Sequence, residues 1–115
     1  MKFNFDAVFY YVSDLDRAVQ FCADVLGMEL HSRDFVARFH IGDVLFELVP
    51  TRDKSKLQGN GNGRLCLQVD DIRAAIAELR AKGVPTEDAE MKDNGILSSF
   101  RDPDGNEICL WQYTR

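Results

Sequence analysis

The sequence predicts an α+β fold made of two βαβββ modules, and three observations carry that reading. A strand–helix–three-strand order of apolar patterns occurs twice. The second copy follows the first by 57 residues, so that Val12-Ser13-Asp14-Leu15-Asp16-Arg17-Ala18-Val19 lies over Val69-Asp70-Asp71-Ile72-Arg73-Ala74-Ala75-Ile76. Between the copies stands a polar stretch rich in glycine and asparagine, residues 51–63, which reads as a linker. The modules are then residues 1–50 and 64–115 of a single domain, 1–115.

In the first module, Ala7 to Val12 is a run of β-branched and aromatic residues expected as a strand. Ser13 is expected to cap the following helix, with Asp16 three residues on as an acidic variant of the capping box. Leu15, Ala18, Val19, Cys22, Val25 and Leu26 recur at helical spacing, and Gly27 stops the helix. Three strands follow, Met28 to Arg33, Phe35 to Ile41 and Val44 to Val49, with turns at Ser32-Arg33-Asp34 and Gly42-Asp43. The second module repeats the order. Arg64 to Val69 is a strand, Asp70 and Asp71 cap a helix with the stripe Ile72, Ala75, Ile76 and Leu79, and Gly83 stops it. Pro85 to Glu90, Ile96 to Arg101 and Asn106 to Tyr113 are the remaining strands. A βαβββ unit covers only one face of its sheet with its helix, so the other face is left for something else.

Composition narrows the function classes. A chain of 115 residues, 45% of them apolar, buries enough surface for a core without staples. The net charge is −5 and no lysine or arginine stripe occurs, which argues against a nucleic-acid partner. No apolar run approaches a membrane span, so no membrane partner is expected. Cys22, Cys66 and Cys109 are odd in number and widely spaced, so neither a disulfide framework nor a zinc knuckle is indicated. A reducing, cytoplasmic location is the expectation.

The last strand is fed by a distinctive turn, Asp102-Pro103-Asp104-Gly105-Asn106-Glu107. Pro103 sets φ at its second position and Gly105 supplies a left-handed one. This turn, the Val-Ser-Asp-Leu-Asp-Arg-Ala helix start at residues 12–18, Val25-Leu26-Gly27-Met28 and the doubled βαβββ order together resemble the vicinal oxygen chelate superfamily. That superfamily includes glyoxalase I, extradiol dioxygenases, metal-dependent fosfomycin-resistance enzymes and bleomycin-binding resistance proteins. The resemblance covers essentially the whole chain. It implies two paired, curved sheets forming a cup, built within one chain or between two chains that exchange halves, and a homodimer.

The resemblance also implies where a metal would be held, at one position of the first and fourth strands of each half. Those positions fall on Ala7, Glu47, Arg64 and Cys109. Ala7 has no donor atom and Arg64 is a permanent cation. A divalent metal wants about three protein ligands and an open position, so no metal and no other cofactor is expected. His31 and His40 fall outside the matched positions. Alternation along the strands then assigns an apolar, aromatic ligand wall to Phe9, Tyr11, Glu47, Arg64, Cys66, Gln68, Cys109 and Trp111. Glu47 and Arg64 either pair with each other or recognise the ligand. Cys66 and Cys109 serve as small apolar fillers or as part of that wall. Glu87, Asp88, Glu90 and Asp93 read as a solvated edge.

Two functions fit this pattern. One is a metal-free protein that binds a small molecule, of the drug-sequestering or resistance type, its acidic charge favouring cationic ligands. The other is an enzyme of the same superfamily, a lyase, isomerase or dioxygenase, with a rearranged metal site using Glu47 or with none. There Glu47 would be general base or sole carboxylate ligand, and Arg64 would hold a substrate oxyanion.

Overall fold

A computed structural model of the chain describes residues 1–59 and 61–114; Asn60, one of the linker residues, and Arg115 lie outside the described residues. The chain divides into two compact units, Met1–Gln58 and Gly59–Arg115. Each holds a four-stranded mixed sheet, the architecture of the glyoxalase and bleomycin-resistance fold.

In the first unit, strand β1 (Ala7–Val12) leads to helix α1 (Leu15–Gln20), then to β2 (Glu29–Arg33), β3 (Ala37–Ile41) and β4 (Val44–Pro50). The sheet order is β1-β4-β3-β2, so the first and last strands of the unit are neighbours. They pair in parallel from Ala7 opposite Leu45 to Val12 opposite Pro50, and the remaining pairs are antiparallel. Alternation places Tyr10, Val12, Ala37, Phe39, Phe46 and Leu48 on the face buried with Ala18 and Cys22 of the helical segment. Tyr10 and Phe46 meet edge to face with ring centroids 5.4 Å apart. The opposite face carries Ala7, Phe9, Tyr11, Leu45, Glu47 and Val49, none of which is buried.

The second unit repeats this plan with β5 (Leu65–Gln68), helix α2 (Ile72–Ala81), β6 (Glu90–Met91), β7 (Gly95–Arg101) and β8 (Glu107–Tyr113), in the order β5-β8-β7-β6. Helix α2 packs on β7 and β8. Its buried residues Ile72, Ile76 and Leu79 join Leu65, Ile96, Phe100, Ile108 and Leu110 in the core. Strand and helix are also tied by Gln112, whose Oε1 accepts the Ile72 N–H at 2.8 Å and so satisfies one of the helix's unpaired donors.

The structure corrects several local expectations. The cap of α1 is Asp14 rather than Ser13: its carboxylate accepts the Arg17 N–H at 3.1 Å, while the Ser13 hydroxyl accepts from the Arg17 side chain. Asp71 alone is the N-cap of α2, accepting from Ala74. The first helix does not run on uniformly. Residues Phe21–Val25 form a wider π turn, closed by Leu26 N–H on the Phe21 carbonyl at 3.0 Å. The strand expected over Pro85 to Glu90 shrinks to Glu90–Met91. Pro85 has no N–H to give, and the segment instead touches β7 at the isolated bridge Thr86–Phe100, at Glu87 N–H on the Ser99 carbonyl, and through Ser98 Oγ on the Glu87 carbonyl at 2.6 Å. Arg64 and Val69 flank β5 rather than belonging to it, and Phe35 lies exposed in the turn before β3. In the linker, Lys54–Lys56 forms one 3₁₀ turn capped by the Asp53 carboxylate. No helix among the described residues is long and apolar enough to cross a membrane.

Candidate functional site

Each unit presents one sheet face that its own helix does not cover, and all eight residues expected in a ligand wall belong to these faces. Phe9, Tyr11 and Glu47 share the face of the first unit. Phe9 is 48% exposed and meets Tyr11 edge to face at 5.3 Å. The 3₁₀ turn brings Lys56 Nζ to 5.0 Å from the centre of the Tyr11 ring, a cation–π distance. Cys66, Gln68, Cys109 and Trp111 share the face of the second unit, with Cys66 opposite Cys109 and Gln68 opposite Trp111. Arg64 stands just before β5 at the edge of the same face. Trp111 and the 55% exposed Tyr113 meet edge to face at 5.7 Å.

The charges on these faces are paired locally. Glu47 accepts from Arg38 Nε at 3.1 Å, its cross-strand partner on β3. Arg38 also reaches Asp34 at 3.3 Å, so one guanidinium lies between two carboxylates. The Val36 N–H and Arg38 hold the exposed Asp34 carboxyl below the ordinary range. Arg64 pairs with Glu107 and also donates to the Gly61 and Gly63 carbonyls. Of the two readings of Glu47 and Arg64, pairing with each other or recognising a ligand, the structure shows each engaged within its own unit, Glu47 by Arg38 and Arg64 by Glu107. Because both partners of the Arg38–Glu47 pair keep some exposure, a double-mutant cycle with Arg38→Met and Glu47→Gln should give a coupling of about 1 kcal/mol, reduced in 1 M salt. Urea unfolding of the four proteins measures it.

The two open-face cysteines are not buried fillers. Cys66 is exposed and Cys109 half-buried, and both are free thiols. Partial burial pushes the Cys66 thiol above its ordinary value of 9.0. Burial pushes Cys109 up as well, and the neighbouring Cys66 and Glu107 add to the rise.

Alongside β7 and β8 the structure opens a cavity of about 460 Å³ that the sequence did not announce. Its walls include Leu97, Ser99, Glu107 and Cys109 from β7 and β8, Glu90 from β6, and Glu87 and Asp88 from the irregular segment before β6. Three of the four acids expected at a solvated edge thus border a concavity. Asp88 is paired with Arg80 at 2.8 Å and Glu90 with Lys92 at 2.8 Å. Gly95 is the other residue that sequence reasoning passed over. A Cβ there would fall 2.6 Å from Cε2 of Trp111 and 2.7 Å from the Gln112 carbonyl oxygen, so this glycine is the floor on which the indole lies.

The four positions at which metal-dependent proteins of this fold hold their ion do not fit a divalent metal. Ala7 and Arg64 offer no donor and Glu47 is engaged by Arg38, which leaves the single thiol of Cys109 where about three ligands are wanted. Among the described residues no group of three or more His, Cys, Asp or Glu side chains converges as a metal site.

Residues 4–110 match the family model described as "Glyoxalase/Bleomycin resistance protein/Dioxygenase superfamily". The chain is 35% identical to a probable lactoylglutathione lyase of Synechocystis sp., over 88% of each chain. It is 32% identical to a lactoylglutathione lyase of Haemophilus influenzae, over 84% of this chain and 83% of the other. Among solved structures, TnmS3, an antibiotic binding protein from Streptomyces sp. CB03234, superposes with a TM-score of 0.84 at 26% identity, covering 98% of both chains.

Proposed function

Because the chain belongs to the glyoxalase/bleomycin resistance protein/dioxygenase superfamily, we propose that it is a metal-independent binding protein for an aromatic small molecule, of the antibiotic-sequestering type. The observation that carries this reading is the contrast within the two open faces. Where metal-dependent members of the superfamily place donors, this chain has Ala7, Arg64, an ion-paired Glu47 and the thiol Cys109. Around those positions it places exposed aromatic pairs, Phe9 with Tyr11 and Trp111 with Tyr113. Rigid aromatic faces with a few convergent polar groups bind organic ligands by stacking and burial. The likeness to an antibiotic binding protein over nearly the whole chain supports the same direction. The net charge of −5 favours a ligand with a cationic group by long-range attraction.

Trp111 is the sole tryptophan, so its fluorescence reports the site directly. Titration with a panel of cationic aromatic antibiotics should quench or shift its emission saturably for at least one member. The affinity should fall as salt rises, and Tyr113→Ala, which removes the ring beside Trp111, should weaken it about tenfold, the worth of one stacked ring. A flat response across the panel would sink the proposal.

The identity to lactoylglutathione lyases favours a second reading, an enzyme in which Glu47 serves as base or carboxylate ligand. For that role Glu47 must leave Arg38. Metal analysis of protein purified without chelator separates the two. A stoichiometric divalent ion that disappears in Glu47→Ala would establish the enzyme and overturn the binding protein.

A further inference from the structure

We propose that Cys66 and Cys109 form a two-thiol site for a soft cation that takes two ligands in line, of the Cu(I) or Hg(II) kind. The two residues are directly opposite each other on the neighbouring parallel strands β5 and β8, and their side chains rise from the same open face. Both are free, whereas Cys22 is buried in the core of the other unit. Cys109 stands at one of the four positions that the resemblance gives to a metal, but Cys66 stands at none of them, two residues beyond Arg64.

Strand spacing selects the chemistry. Side chains that stand on adjacent strands are separated by about 4.8 Å. A disulfide tolerates Cβ atoms about 3.5–4.5 Å apart, so this spacing lies near the upper end of what one needs. A linear S–metal–S unit with bonds of about 2.3 Å spans nearly the strand separation without any lean. Softness points the same way, because thiolates select d¹⁰ cations over hard ones. The surroundings lack the further donors that tetrahedral zinc would want: Glu107 is engaged by Arg64, and the neighbour of Cys109 on β7 is Ser99.

Binding requires no redox partner. Each thiol loses a proton, two sulfur–metal bonds form, two protons leave to water, and the oxidation states do not change. Two thiolates side by side repel each other and Glu107, with only Arg64 offsetting them, and a cation between them removes that penalty. Glu87 borders the same cavity as Cys109 and adds attraction for a cation, whereas Asp88 and Glu90 there are already paired with Arg80 and Lys92. Since two protons are released, apparent affinity should rise about 100-fold per pH unit below the thiol range.

The test uses the whole chain, reduced and handled without oxygen, titrated with Cu(I) against a competing chelator and separately with Hg(II). The expected result is one ion per chain, a thiolate charge-transfer band, protection of two thiols from a thiol reagent, and two protons released per ion. Cys66→Ser and Cys109→Ser should each weaken binding about 100-fold or more, and Cys22→Ser should leave it unchanged. Binding that survives in Cys66→Ser or Cys109→Ser overturns the site, as does a stoichiometry of two ions per chain, tighter binding of Zn(II) than of Cu(I), or ready closure of a Cys66–Cys109 disulfide in air. Should a variant fail to fold, the stoichiometry and proton count of the unaltered chain decide the matter. The site does not depend on the antibiotic-binding reading: a flat tryptophan titration would leave it standing.

Discussion

Asp102→Ala is expected to destabilise the protein by about 2–4 kcal/mol, the largest single effect outside the apolar core. Asp102 is buried, and its carboxylate organises the whole turn between β7 and β8. Oδ1 accepts the Asp104 and Asn106 N–H groups at 2.9 and 2.8 Å, and Oδ2 accepts Asn106 Nδ2 at 2.9 Å. The backbone closes the same loop twice, Asp102 N–H to the Asn106 carbonyl at 2.9 Å and Gly105 N–H to the Asp102 carbonyl at 3.0 Å. Gly105 makes this possible at φ 84°, a conformation that costs other residues energy. Alanine would remove this acceptor from the buried donors of Asn106 and the part-buried N–H of Asp104. Asp102→Asn should cost less than half as much, because its amide oxygen still serves the two backbone donors. Urea unfolding of both variants measures the difference.

The same carboxyl makes a pH prediction. Burial raises its pKa above the ordinary 3.8, with the hydrogen bonds from Asn106 and Asp104 opposing that rise only in part. A carboxyl whose folded pKa lies above its unfolded one binds more protons in the folded state. Its contribution is therefore fully present below pH 3.8 and is lost as pH rises through the folded value. The stability advantage of the native chain over Asp102→Asn should accordingly be larger at pH 4 than at pH 7. An advantage that grew with pH would mean that the hydrogen bonds, not burial, dominate this residue.

The repeat made the fold legible. The recurring helix starts Val12-Ser13-Asp14 and Val69-Asp70-Asp71 mark the two βαβββ units, and each sheet follows from strand alternation, because one face has to hold Phe46 and Leu48, or Ile108 and Leu110. The site was legible as faces but not as pairs. The Arg38–Glu47 contact was within reach: a two-residue turn at Gly42-Asp43 fixes the hairpin register and sets those residues opposite each other. The Arg64–Glu107 contact was harder, since it joins residues 43 apart through a parallel pairing whose register no local turn specifies. The cavity beside Cys109 was out of reach. It exists because Pro85 and its neighbours leave β7 after one bridge, and that irregularity has no periodic signature.

Gly95→Ala should expose how the indole of the open face is held. Gly95 opens β7 with Tyr113 as its cross-strand partner, and it is buried beneath the ring of Trp111. It does not have a positive φ, so backbone strain gives no reason for a glycine. On propensity alone the change to alanine within a strand would be neutral or mildly stabilising. The added methyl instead meets two indole carbons and the Gln112 carbonyl oxygen, and the indole must swing away. Forcing a side chain out of a packed position costs about 1–3 kcal/mol, and here the side chain is the proposed stacking platform. The variant should therefore unfold earlier in urea, show a red-shifted emission from a more solvated Trp111, and weaken the binding of any ligand that the Trp111 titration finds. The cost should also depend on the ring. In a Trp111→Ala background the Gly95→Ala step should fall to less than half its value, the remainder being the contact with the Gln112 carbonyl. An unchanged cost in that background would show that the glycine serves the strand backbone and not the tryptophan.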